Sequence, residues 1–216
     1  LDVNAKQVVQ YCAPLWLRDE QIRVNCMRIT ERIQPHERRT DPVAIVCFGP
    51  SLNVTWEQVR DFTYLISCSG SHKFLHERGV TPTWHVEVDP RAHKVGLMGE
   101  PCSETEYLIS STCHPKLLDH LTCFNVKLWH VFDCNEDGRR LLPHGEWALT
   151  GGCDVGLRAL TIAAFLGFRD LHVFGMDHSA GTVDAPAEKR HASEHPHSGT
   201  PKDFSVCEVD GIKYLT

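Results

Sequence analysis

Short runs of consecutive apolar residues alternate along this chain with longer amphipathic stretches. VAIVCF at 43–48, TYLISC at 63–68, WHVEVD at 84–89, YLISS at 107–111, VKLWHV at 126–131 and the segment holding Leu171, Val173 and Phe174 read as strands. An unbroken apolar run, without period-two alternation, is the pattern of a strand covered on both faces. Helical spacing fills the gaps: a helix from about Thr55 with Trp56, Val59 and Phe62 inward, HKFLHERG ending at Gly79, and HPKLLDHL. A broader apolar face follows at Leu157, Leu160, Ile162, Ala163, Phe165 and Leu166, closed by Gly167. Parallel neighbours need crossover connections, so six strands alternating with helices predict an α/β fold with a doubly wound, mostly parallel sheet.

Residues 1 to 40 show helical spacing on either side of Pro14 and predict an N-terminal helical segment outside the sheet, with ERIQPHERRTDP as the linker. The sheet domain is expected over 41–180. After it comes SAGTVDAPAEKRHASEHPHSGTPKD, 25 residues rich in Gly, Pro, Ser and His. A stretch of that length without regular pattern and dense in titratable groups predicts a lid. VCEVDGIKYLT then predicts a hairpin turning at Asp210-Gly211, so 181–216 is expected to be a His-rich lid loop and hairpin. Leu1 at the start and a strand-like pattern at the end are what a piece of a longer product would show.

Composition narrows the class. At 216 residues, with 42% hydrophobic and 23% charged content, the chain supports one main core. It has no run of 18 apolar residues, and no basic-then-apolar amino terminus, so neither a membrane span nor a secretory signal is visible. A net charge of −6 argues against a general nucleic-acid or anionic-membrane binder, which would present a basic face. Ten scattered cysteines without a CxxC read as reduced thiols of a cytoplasmic protein.

The candidate chemistry lies where the apolar runs end. Gly49-Pro50-Ser51 follows the first strand at once, Ser69-Gly70-Ser71 follows the second, and Gly151-Gly152 precedes the long helix. Small residues let a backbone approach a ligand closely, and a helix starting there points its amino end at an anion. Asp89 and Asp177 each end a strand on the carboxyl edge, where open α/β sheets bind ligands. Taken singly, each of these turns is also an ordinary strand-to-helix connection, and none is a P-loop or GxGxxG.

Taken together, GPSL, CSGSHKFLHERGVTPTWHVEVDP, TGGCDVGLRALTIAAFLGFRDLHVFGMD and KRHA resemble the 6-hydroxymethylpterin diphosphokinase MptE-like family over about residues 40 to 215. That family is similar in turn to the motility-associated-factor flagellin glycosyltransferases and, more distantly, to bacterial sialyltransferases that use CMP-sialic acid. The resemblance implies a Rossmann-like transferase that binds a nucleotide and a small-molecule acceptor. By it, Gly49, Pro50, Ser51, Ser69, Gly70, Ser71, Gly151 and Gly152 contact the nucleotide. Asp89 and Asp177 match the family's acidic strand ends, and His191 falls where the sialyltransferase-like relatives place a catalytic histidine, with His195 or His197 as alternatives.

Two chemistries fit that pattern. Diphosphate transfer from ATP to a hydroxymethyl, pterin-like acceptor needs Mg²⁺, for which the oxygens of Asp89 and Asp177 suit, and cations drawn from Lys73, Arg91, Arg158, Lys189 and Arg190. Transfer from a CMP-sugar needs a base near neutral pKa, the role His191 would take. Size favours the first, and the His-rich loop the second. A zinc site on the HxxxHxH run is disfavoured by Pro196, and a non-catalytic nucleotide-binding module is a further alternative. Oligomeric state is not legible.

Overall fold

The strand order places the site. The structure, a computed structural model, describes residues 13–132, 141–178, 181–182, 184, 206–209 and 211–215. Its main sheet contains β1 (Pro42–Val46), β2 (Tyr64–Cys68), β3 (Trp84–Glu87), β4 (Glu106–Ser110), β5 (Val126–Val131), β6 (Ala148–Leu149) and β7 (Asp170–Phe174). They run in the order β6-β5-β4-β3-β2-β1-β7, every pairing parallel. All six expected strands are present, and the two-residue β6, too short to carry a periodicity, is added at one edge.

Five helices join or precede β1 to β5: α1 (Leu15–Arg28), α2 (Leu52–Thr55) running into a 3-10 helix (Trp56–Asp61), α3 (Ser71–His76), α4 (Lys94–Met98) and α5 (Pro115–His120). α6 (Val155–Phe165) returns the chain from β6 to β7 and packs against β1, β2, β3 and β6. A right-handed crossover puts its helix on one face when the chain steps one way along the sheet and on the other when it steps back. The steps from β1 to β5 therefore stack their helices on one face, where Met98, Tyr107, Ile109, Leu117 and Leu128 form one cluster and Ala44, Val46, Leu52, Phe74 and Leu75 another. α6 covers the opposite face with Ala159, Ile162, Ala163 and Leu166 against Val43, Ile45, Ile66 and Val86.

Three local readings are corrected. The helix expected from Thr55 begins at Leu52 and tightens to 3-10 after one turn, with Val59 fully buried and Trp56 and Phe62 half-buried. In α6 the buried stripe is Arg158, Ala159, Ile162 and Ala163, while Leu157, Leu160 and Phe165 lie half-buried at its margin. The last strand is not buried: among the described residues β7 pairs with β1 alone, and Val173 is 43% exposed. α4 was missed, because HKVGLM is too short and too polar to show a helical period.

α1 starts directly after Pro14, and the part of the expected N-terminal helical segment before it, residues 1–12, lies outside the described residues. β9 (Val206–Val209) and β10 (Ile212–Leu215) form the expected antiparallel hairpin, with Gly211 at φ +78° and β8 (Gly181–Thr182) completing a separate three-stranded sheet. The expected lid, with His191, His195, His197, Lys189 and Arg190, lies outside the described residues. Among those described, no helix is long and apolar enough to cross a membrane.

Candidate functional site

β1 sits between β2 and β7, so the chain reverses its direction of travel along the sheet at β1 and β7, and their carboxyl ends frame a switch-point crevice. The two turns there are bonded to each other. Gly49 N–H donates to the Gly175 carbonyl at 2.7 Å, and the Asp177 carboxylate accepts from Ser51 N–H at 2.7 Å and from Ser51 Oγ at 2.5 Å. Gly49 must be glycine for this contact: a Cβ would run into the Asp177 carboxylate and come within 2.7 Å of the Gly175 oxygen. The first turn and the acidic end of β7 are thereby explained by one another.

The second turn backs onto the first, with Gly70 so close to the Phe48 ring that a Cβ would collide with it. Ser71 is turned inward and fully buried; its hydroxyl donates to the Val46 carbonyl at 2.6 Å and accepts from Cys68 N–H at 2.8 Å. Ser69, at φ +51°, instead receives a hydrogen bond from Lys94 Nζ at 3.1 Å. That bond ties the second turn to the segment after β3.

Beside this crevice, over the ends of β3, β4 and β5, lies a cavity of about 330 Å³. Its walls are Glu87 to Arg91 with Lys94, Thr112 after β4, Val131 of β5, the first turn of α6 with Arg158, and Ala13 and Arg18 from the α1 region. Charge is dense here. Asp89 holds Arg91 through a fork at 2.6 to 3.2 Å and Lys94 at 3.4 Å. Burial pushes the Asp89 carboxyl up, but the Arg91 hydrogen bonds and the Lys94 charge outweigh it and hold it below its ordinary value. Arg158, 7% exposed, is anchored to the Leu149 and Phe132 carbonyls at 3.1 and 3.3 Å.

Gly151 and Gly152 lead into α6, whose N-cap is Asp154: its Oδ1 accepts from Leu157 N–H at 3.0 Å. Asp154 Oδ2 lies 3.7 Å from His178 Nε2, which joins the first turn of α6 to the segment after β7. Gly156 completes the convergence by packing on Cys47 and Met176. All the small-residue turns singled out in the sequence thus meet at one edge of the sheet, and Asp89 enters the cavity wall. Lys73 stands apart, exposed on α3 and 3.9 Å from Glu77.

Sequence reasoning missed Glu87, Lys94, Asp154 and Arg18. Two of them had a signal: a glutamate inside a strand otherwise buried on both faces, and an aspartate immediately before an apolar helix, the preferred N-cap. Among the described residues no three His, Cys, Asp or Glu side chains are grouped to hold a metal ion.

No curated protein matches the chain. Among solved structures it is similar to the MAf glycosyltransferase from Magnetospirillum magneticum AMB-1, with a TM-score of 0.64, 21% identity, and coverage of 96% of this chain and 32% of that one. This chain therefore spans about a third of that protein's length, and the likeness is one of fold. The family model for 6-hydroxymethylpterin diphosphokinase MptE-like proteins matches residues 20–182, starting inside α1 rather than at the first strand and stopping short of the hairpin. On that match, which covers well over half of its length, the chain belongs to the 6-hydroxymethylpterin diphosphokinase MptE-like family.

Proposed function

We propose that the protein is a nucleotide-dependent transferase that moves diphosphate from ATP to a hydroxymethyl, pterin-like acceptor. The observation that carries this reading is the cation-walled cavity at the carboxyl edge of the sheet, beside the switch point. Phosphoryl transfer asks the protein mainly to position the reactants and to neutralise charge. Lys94 and Arg91, pre-oriented by Asp89, supply positive charge on one wall, and the anchored Arg158 supplies it on another. The turn at Ser69, joined to Lys94, brings the second strand end to the same ligand.

Both carboxylates expected to hold Mg²⁺ are engaged as placed, Asp89 with Arg91 and Lys94 and Asp177 with Ser51. They do not fit a resident ion, so the proposal has Mg²⁺ arrive bound to the phosphates of ATP, and no step is assigned to it on the protein.

The second reading is transfer from a CMP-sugar with His191 as base, and the fold likeness to a MAf glycosyltransferase favours it. A thermal-shift panel separates the two. Stabilisation by ATP with Mg²⁺ supports diphosphate transfer, and stabilisation by CMP or CTP without metal supports sugar transfer. A ligand at a hundredfold excess over its Kd adds about 2.7 kcal/mol. Binding without turnover would mark a nucleotide-binding module, and no response to any nucleotide would sink both enzymatic readings.

A further inference from the structure

Two carboxylates in the cavity wall, Glu87 and Asp154, are built alike. Glu87, 1% exposed at the end of β3, accepts from Val88 N–H at 2.9 Å and Asp89 N–H at 3.1 Å, both on Oε1. Its Oε2 is buried and has no hydrogen-bond partner among the described residues. Asp154, at the start of α6, commits Oδ1 to Leu157 N–H, while its buried Oδ2 has no hydrogen-bond partner among the described residues and lies 3.7 Å from the His178 ring. A buried polar oxygen left unpaired is costly, and a fold that fixes one oxygen by backbone amides while leaving its twin unpaired holds an acceptor ready for a ligand.

We propose that Glu87 Oε2 and Asp154 Oδ2 accept hydrogen bonds from the hydroxyls of a phosphorylated sugar whose phosphate lies against Lys94 and Arg91. The inference rests on the nucleotide-transferase reading and deepens it. The paired N–H groups of an amidine edge, as in guanine or a pterin, take both oxygens of one carboxylate. Here each carboxylate has one oxygen to give, and the two stand on different walls of the cavity, one on β3 and one on α6. Hydroxyls at separate positions of a ring match that arrangement, and cations in the same small cavity match a phosphate carried by the same ring. Two sources share this chemistry: the ribose of the nucleotide and a separate sugar phosphate.

The test is isothermal titration calorimetry of the unchanged protein, Glu87→Gln and Asp154→Asn. The probes are AMP and CMP, their 2′,3′-dideoxy counterparts, glucose 1-phosphate and inorganic phosphate. Each substitution keeps the oxygen that meets the backbone amides and replaces the other by an amide nitrogen, which cannot accept. A hydrogen bond to a charged group predicts a loss of about tenfold or more for hydroxyl-bearing probes, with dideoxynucleotides and phosphate unchanged within about twofold. Loss confined to AMP and CMP assigns the hydroxyls to the nucleotide's ribose; loss confined to glucose 1-phosphate assigns them to a separate sugar phosphate. Equal loss for ribo and dideoxy probes, or a loss seen only when Mg²⁺ is present, overturns the proposal. The two variants are independent, so a failure of one to fold leaves the other to decide. Nucleotide binding that ignores both substitutions sinks this inference alone; no nucleotide binding by the unchanged protein sinks the transferase reading with it.

Discussion

The crevice between β1 and β7 and the cavity over β3 to β5 share one edge of one sheet, yet they spend their polar groups in opposite ways. At the crevice the Asp177 carboxylate has both oxygens on Ser51, and Gly49 is pressed against it. In the cavity, Glu87 and Asp154 each keep one oxygen unspent, and two cations are held together by Asp89. A satisfied polar group holds the fold, whereas one kept unsatisfied at a cost in stability is kept for something else. Strand order brings both regions to one edge of the sheet, and hydrogen-bond accounting then separates a satisfied clamp from a wall with unpaired oxygens.

The largest expected effect bears on the interior behind both regions. His72, between the second turn and α4, has its pKa lowered to about 4, chiefly by burial, and His85 is shifted in the same direction for the same reason. The His72 Nδ1 and Nε2 are shared with the Met98 carbonyl and the Tyr107 hydroxyl. A depressed folded-state pKa means that the unfolded chain binds the proton first. The stability is therefore complete above the ordinary histidine value and is lost as the pH falls toward 4, by about 3 kcal/mol for His72. Urea unfolding from pH 7.5 to 4 checks this: His72→Gln should show a shallower decline, and an unchanged slope would remove the histidine from the account.

Asp177→Ala comes next. It strips Ser51 N–H and Oγ of their acceptor, and a loss of about 2 kcal/mol in urea unfolding is expected. Gly49→Ala should cost a similar amount by overpacking, about 2 kcal/mol. Because the added methyl meets the Asp177 carboxylate, the double variant should be less damaged than the sum of the two; strict additivity would mean that the clamp is not a unit.

Lys94→Ala should cost about 1 kcal/mol, less than the clamp variants, because Asp89 keeps its fork to Arg91. On the proposed transferase reading, its effect falls on nucleotide affinity. Smallest of all is Glu87→Gln, which retains the Oε1 bonds and removes an unpaired buried charge, so its melting temperature should stay level or rise. A clear drop would show that Oε2 is structurally engaged.

How far the sequence carried the fold follows from the lengths involved. Six-residue runs such as VAIVCF and TYLISC announce parallel strands, and Gly79 and Gly167 end helices where glycine is expected. β6 and α4 were silent because two and five residues are too few to show a period. The exposure of β7 was invisible because an edge strand and a central strand can share one apolar pattern; strand order alone separates them. At the site, the turns were legible as small-residue clusters, but not which of them faces a ligand. Ser71 and Ser69 flank the same glycine, and burial sends one hydroxyl into the backbone and the other toward Lys94. Glu87 in WHVEVD has no sequence mark that separates a buried acceptor from a half-buried strand-end carboxylate such as Asp89, because the difference lies in burial.

Backbone hydrogen exchange with and without saturating ATP and Mg²⁺, and in parallel with CMP, tests most directly that the nucleotide sits over β3 to β5. The account predicts new protection at residues 88–94 and 153–158, with residues 49–51 and 175–177 already slow and unchanged. Protection confined to 49–51 and 175–177, with the cavity segments exchanging as before, would contradict it.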